Sequence, residues 1–194
     1  MSISRRHALA LFAGAFVTPG RAEIDPLAGR FGGPFALTTG DGRIVRNTDF
    51  AGKFMLVYFG YTHCPDICPE DLVLIAQCLT LLGPVGEKVQ PLFITVDPDR
   101  DTPAVMSEYV ASISPRFIGL SGGEAEIAAL AKAYRVHRAK YLPPAASNDP
   151  GNYIVDHSSL KYLMGPDGQF RTLIPHNVSA ERMAEILRPY LMRE

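Results

Sequence analysis

The sequence predicts a mixed α/β domain in three layers, with one central sheet between helices on both of its faces. Three observations carry this. Phe54–Phe59 and Val89–Val96 are continuous apolar and aromatic runs of the kind that form strands buried on both faces. Helical patterns alternate with these strands, which favours parallel crossovers. The pattern then ends in a hairpin and a last helix, so part of the sheet must be antiparallel.

The elements follow in order. Phe35–Thr39 and Arg43–Val45 flank Thr39-Gly40-Asp41-Gly42 and form an N-terminal hairpin. After the strand at Phe54–Phe59, Pro69 fits the first position of a helix because it lacks an N–H and has a fixed φ. Proline pushes the residue before it out of helical geometry, so Cys68 is expected to be the N-cap. Leu72, Ile75, Ala76 and Leu79 continue at helical spacing until Gly83-Pro84. Beyond Val89–Val96, Thr102 caps and Pro103 opens a helix running to about Ser112, and Ser121 is expected to start another through Ile127, Leu130, Ala131 and Tyr134. Residues 141–152 form an exposed excursion. Ser159–Met164 and Gln169–Ile174 enclose Gly165-Pro166-Asp167-Gly168, a second hairpin, and Met183, Ile186, Leu187, Tyr190 and Leu191 mark the closing helix. A thioredoxin-like three-layer domain fits this order.

The chain has 194 residues, enough for one domain with a real core. Its net charge is −1 with no long run of one sign, so nucleic acid is not expected as a partner. Residues 1–22 read as an export signal: Arg5 and Arg6 precede a short apolar run, Ala8 to Val17, and Gly20-Arg21-Ala22 offers a cleavage point. The arginine pair resembles a twin-arginine signal, although His7 and Ala8 stand where a bulky residue is usual. A short uncleaved anchor and a packed N-terminal helix are the alternatives. Residues 23–194 are expected to form the domain, with residues 23–34 as its leader.

Export changes the reading of the three cysteines, because paired thiols outside the cytosol oxidise unless a reductant or a metal holds them. An odd and small number suits a site better than a scaffold. Cys64 and Cys68, in "YFGYTHCPDICPEDL", stand at a strand–loop–helix junction. A helix N-terminus stabilises a thiolate, which singles out Cys68. Three intervening residues allow two sulfurs on one ion, or a disulfide, and two thiolates select Cu(I) and, less strongly, Zn(II). A third ligand is needed, and there are five histidines. His7 lies in the export signal. His63 is expected to point away from its neighbour Cys64, and His137 and His176 have no other ligand type close by in sequence. His157 sits at an expected strand start beside Asp156, a carboxylate able to orient an imidazole; a polar residue opening a hairpin would look the same. Cys78 lies mid-helix among apolar residues and reads as an inert core thiol. Asp97, Asp99, Arg100 and Asp101 read as turn and cap chemistry in preference to partner recognition or tuning of the metal site.

"FGYTHCPDICPEDL", "TVDPDRDTP" and "YIVDHSSLKYLMGPDGQF" together resemble, in order and spacing, the signature blocks of the SCO/SenC family. These are thioredoxin-fold copper proteins involved in assembling cytochrome c oxidase, and the resemblance runs from about Phe35 to the C-terminus, including "RPYL". It implies that Cys64, Cys68 and His157 bind one copper per chain, as Cu(I) or Cu(II). It also implies a redox-active Cys64–Cys68 pair capable of a disulfide, and a hairpin insertion at residues 135–156. The implied role is a metallochaperone that delivers copper to the CuA site of cytochrome c oxidase subunit II. The alternative is a thiol–disulfide oxidoreductase that keeps the CuA cysteines of that partner reduced. Either role implies an upstream copper donor or a thioredoxin-like reductant, at the periplasmic side of the inner membrane, with the chain free after cleavage or tethered by its N-terminus. Pure dithiol exchange does not need His157 and a copper site does. A peroxidase of the peroxiredoxin type is disfavoured: Tyr61 stands where that pattern has threonine.

Overall fold

A computed structural model describes residues 29–144 and 151–193. The expected export signal, residues 1–22, therefore lies outside the described residues. The first strands, β1 (Ala36–Thr38) and β2 (Ile44–Arg46), form the expected N-terminal hairpin. β3 (Phe54–Gly60) follows and is buried along its whole length. Helix α1 (Ile67–Leu82) ends at Gly83, whose φ of 61° is left-handed and suits glycine. Next come β4 (Val89–Thr95), α2 (Pro103–Ile113), β5 (Ile118–Leu120) and α3 (Glu124–Ala133). The chain ends with β6 (Arg138–Tyr141), β7 (Ile154–His157), β8 (Lys161–Met164), β9 (Phe170–Ile174) and α4 (Ala180–Arg193).

The central sheet has the order β5-β4-β3-β8-β9. β3, β4 and β5 are parallel, while β8 runs antiparallel to β3 and β9 antiparallel to β8. Successive side chains of a strand face opposite sides, and β3 uses this to carry helices on both. Tyr58 packs toward Phe93, which in turn meets Tyr109 of α2. Phe59 points the other way, onto Tyr134 at the end of α3 and onto Tyr162. The three-layer α/β expectation holds.

Two helix starts differ from expectation. Thr102 does cap α2, its side chain accepting the N–H of Val105. Helix α1, however, begins at Ile67 with Asp66 as N-cap, so Cys68 lies inside the first turn and Pro69 is the third helical residue. Proline is tolerated there because the first N–H groups of a helix have no internal acceptor. Helix α3 begins at Glu124 and not at Ser121. Ser121 pairs with Thr38 at the edge of the sheet, and the Glu126 carboxylate takes the N–H of Gly123, setting the helix start two residues later.

The excursion is a two-stranded ribbon, β6–β7, with Arg138 opposite His157. His157 thus ends a strand of the ribbon instead of opening the terminal hairpin. Its backbone belongs to the ribbon ladder, and β8 begins only at Lys161.

Candidate metal centre

Cys64 and Cys68 come from the loop after β3 and the first turn of α1, while His157 comes from the end of β7. Their ligand atoms all lie within 4.8 Å of one another. Cys68 Sγ stands 3.4 Å from His157 Nε2. The backbone N–H of Cys68 donates to Cys64 Sγ at 3.4 Å. His157 Nδ1 is 3.1 Å from the carbonyl of Ser158, which can only accept. Nδ1 therefore carries the proton and Nε2 turns its lone pair to the sulfurs, the tautomer a metal ligand needs.

Gly60 closes β3 beneath this loop. A Cβ there would lie 2.8 Å from Cys68 Sγ and 2.6 Å from the Phe93 ring, so only glycine lets the buried sulfur sit against the strand. Cys64 is half-buried and Cys68 buried, and both are free thiols. A groove of about 610 Å³ opens beside Cys64 and His157, walled by Tyr61, Pro65, Ile67, Tyr141 and Ile154.

The two sulfurs are electrostatically unequal. The hydrogen bond from Cys68 holds Cys64 down at about 3, with further help from the N–H groups of Asp66 and Cys68. Cys68 moves the other way: the Cys64 thiolate and burial both hold its proton on. The expectation that Cys68 carries the low pKa is thus reversed, because the sulfur that receives the free N–H groups of the first turn belongs to Cys64. Deeper in, the Tyr58 hydroxyl lies buried near Cys68 and Asp71 without completing a hydrogen bond. Burial first, with the Asp71 carboxylate adding to it, raises its pKa. Asp71 is paired with the fully buried Lys161, and His176 Nδ1 approaches it at 3.4 Å.

The ribbon is clipped to the 97–101 turn. Tyr153 donates its hydroxyl to Asp97 at 2.7 Å, and Arg100 donates to the Tyr153 carbonyl at 2.9 Å while stacking 3.7 Å above its ring. On the same turn Asp101 accepts the N–H and the hydroxyl of Thr62, at 3.1 Å and 2.6 Å, and so holds the approach to Cys64. Beyond the turn chemistry expected of them, the side chains of Asp97, Arg100 and Asp101 therefore tie distant segments to the site.

A family model described as SCO1/SenC matches residues 25–192. This chain belongs to the SCO1/SenC family.

Within the SCO1/SenC family, the chain is 40% identical over 165 residues to the mitochondrial Protein SCO1 homolog of Homo sapiens, a match covering 82% of this chain and 54% of that protein. It is 37% identical over 172 residues to the SCO2-like protein of Rickettsia prowazekii, covering 84% and 82%. The chain thus spans about half the length of the human relative. Among solved structures, ScoI of Bradyrhizobium japonicum with copper bound is 43% identical with a TM-score of 0.73, covering 82% of this chain and 99% of that one. Yeast Sco1 with copper bound is 38% identical with a TM-score of 0.74, covering 84% and 90%.

Against that SCO1/SenC background, the structure brings Cys64, Cys68 and His157 together and leaves the other histidines of the described residues elsewhere. His63 is exposed, its Nδ1 near Thr62. His137 faces Asp156 at 3.5 Å. That contact overturns the expected role of Asp156 beside His157: alternation along β7 sends the two side chains apart, and Ser158 orients the imidazole instead. Cys78 is buried in the core with its thiol pushed up to about 12 by desolvation, as an inert thiol should be. Sequence reading missed Gly60, Tyr58 and the Asp71–Lys161 pair. Only a lysine in an otherwise apolar strand, "SLKYLM", hinted at the last.

Proposed function

We propose that this SCO1/SenC chain is a copper metallochaperone, binding one copper ion through Cys64, Cys68 and His157 and passing it to the CuA site of cytochrome c oxidase subunit II. The observation that carries the reading is the convergence of two sulfurs and one imidazole nitrogen within 4.8 Å at the mouth of an open groove. Two sulfurs and a nitrogen favour soft copper over hard cations. Cys64 already favours the thiolate, so loading releases its proton chiefly from Cys68. The half-buried Cys64 leaves a flank open, where an acceptor's own thiolates can enter and take the ion ligand by ligand. Copper-bound relatives that share this fold at 38% identity and above support the same assignment.

The reading also includes an exported chain working on the periplasmic side of the inner membrane, supplied by an upstream copper donor and kept reduced by a thioredoxin-like partner. Its rival is disulfide exchange by the same two thiols. The position of His157 favours copper, since a dithiol reductant has no need of an imidazole aimed at its buried sulfur.

Copper titration of the reduced protein and of Cys64→Ala, Cys68→Ala and His157→Ala variants tests the site. One equivalent is expected to bind wild type, with a loss of about tenfold or more in each variant. Undiminished affinity in His157→Ala would sink the three-ligand site. Mixing the copper-loaded protein with apo subunit II then tests the role: metal transfer is expected, and disulfide reduction without transfer would move the assignment to the oxidoreductase.

A further inference from the structure

Tyr61 touches both Cys64 and the strand that carries His157. It follows Gly60 at the end of β3 and is 2% exposed. Its carbonyl accepts the N–H of Cys64 at 3.3 Å. Its ring meets the His157 ring edge-on, with centroids 5.8 Å apart and planes at 86°. Its hydroxyl accepts the N–H of Val155, two residues before His157, at 3.3 Å. The backbone contact is available to any residue at this position. The ring and the hydroxyl are not, and both act on β7.

This matters because the ribbon carrying His157 stands apart. Among the described residues, β6 and β7 pair with each other and with no strand of the central sheet. The backbone of His157 is set by its pairing with Arg138. Its ring must still choose a rotamer and a ring flip, and the broad torsion next to an imidazole leaves that choice soft. Ser158 holds one ring nitrogen. An edge-to-face contact between rings is directional, and it biases the imidazole toward one ring orientation.

We propose that Tyr61 is a positioning residue for His157: its ring fixes the imidazole with Nε2 toward the sulfurs. The inference rests on the copper reading only for its metal-binding consequence. The orientation itself is a property of the metal-free protein.

The test uses Tyr61→Leu, which keeps apolar bulk but removes ring and hydroxyl, and Tyr61→Phe, which restores the ring. Copper affinity is expected to fall about tenfold in Tyr61→Leu and to return to within about threefold of wild type in Tyr61→Phe. Combining Tyr61→Leu with His157→Ala should cost no more than His157→Ala alone, since Tyr61 acts through the imidazole. An additive further loss overturns the proposal and makes Tyr61 merely structural. In metal-free protein, nitrogen NMR of the imidazole should show the Nδ1–H form in wild type and Tyr61→Phe, and a mixture in Tyr61→Leu. An unchanged tautomer in Tyr61→Leu also overturns it. Full copper affinity in His157→Ala refutes the copper reading instead, and the NMR result then decides the role of Tyr61 by itself.

Discussion

Cys68 Sγ and His157 Nε2 lie 3.4 Å apart although 89 positions separate them in the chain. Nothing in local structure links the two. Their meeting depends on β3 delivering the cysteine loop, on β7 delivering the histidine, and on the 97–101 turn holding both approaches.

The inequality of the two sulfurs sets their reactivity. Cys64 is half-buried and held at about 3 by its Cys68 neighbour, so it remains a thiolate until the pH falls through that value. Its alkylation by iodoacetamide in the reduced, folded protein should therefore stay near its maximum down to about pH 5, whereas a free cysteine follows a pKa of about 8.5. Cys68 and Cys78, both buried and shifted upward, should remain unmodified until the protein unfolds. Mass spectrometry of the modified sites checks this; label on Cys68 before Cys64 at neutral pH would reverse the assignment.

Asp71 and Lys161 form an ion pair with no solvent exposure beneath the site. Burial pulls the lysine's pKa down and Asp71 opposes that pull. Removing one partner strands the other, so Asp71→Leu or Lys161→Met alone should cost about 3–5 kcal/mol. The double variant should recover most of that loss, because well-packed apolar residues no longer leave a charge unpaired. Urea denaturation of the three variants measures the coupling, and simple additivity would show that the pair does not act as one.

Gly60 leaves no room for a side chain. In Gly60→Ala the new methyl meets Cys68 Sγ and the Phe93 ring, neither at the free end of a long side chain. A stability loss of about 1–3 kcal/mol is expected from overpacking. Copper affinity should fall as well, since Cys68 must shift. The denaturation midpoint and a copper titration read both effects, and a variant with wild-type values would show that the loop relaxes freely.

Much of this was legible in advance, for reasons that differ by element. Phe54–Phe59 and Val89–Val96 announce themselves because a strand buried on both faces has no room for polar residues. Thr102-Pro103 marks a helix start because capping is local chemistry. The Ser121 and Cys68 assignments failed where distant partners intervened. Ser121 is taken by Thr38, and the first turn of α1 receives a sulfur from Cys64. His157 was recognisable through its motif, but its strand and its orienting partner were not. Asp156 looked like that partner until the alternation of β7 turned it toward His137.

The sequence by itself determined the layered α/β architecture, the family and the three candidate ligands, since hydrophobic periodicity, turn chemistry and motif spacing are written along the chain. Only the tertiary structure decided which sulfur is the thiolate, which carbonyl sets the imidazole tautomer, and why Gly60 and Tyr61 stand where they do. Those answers depend on burial and on hydrogen bonds between segments far apart in sequence, and neither exists until β3, α1 and β7 pack together.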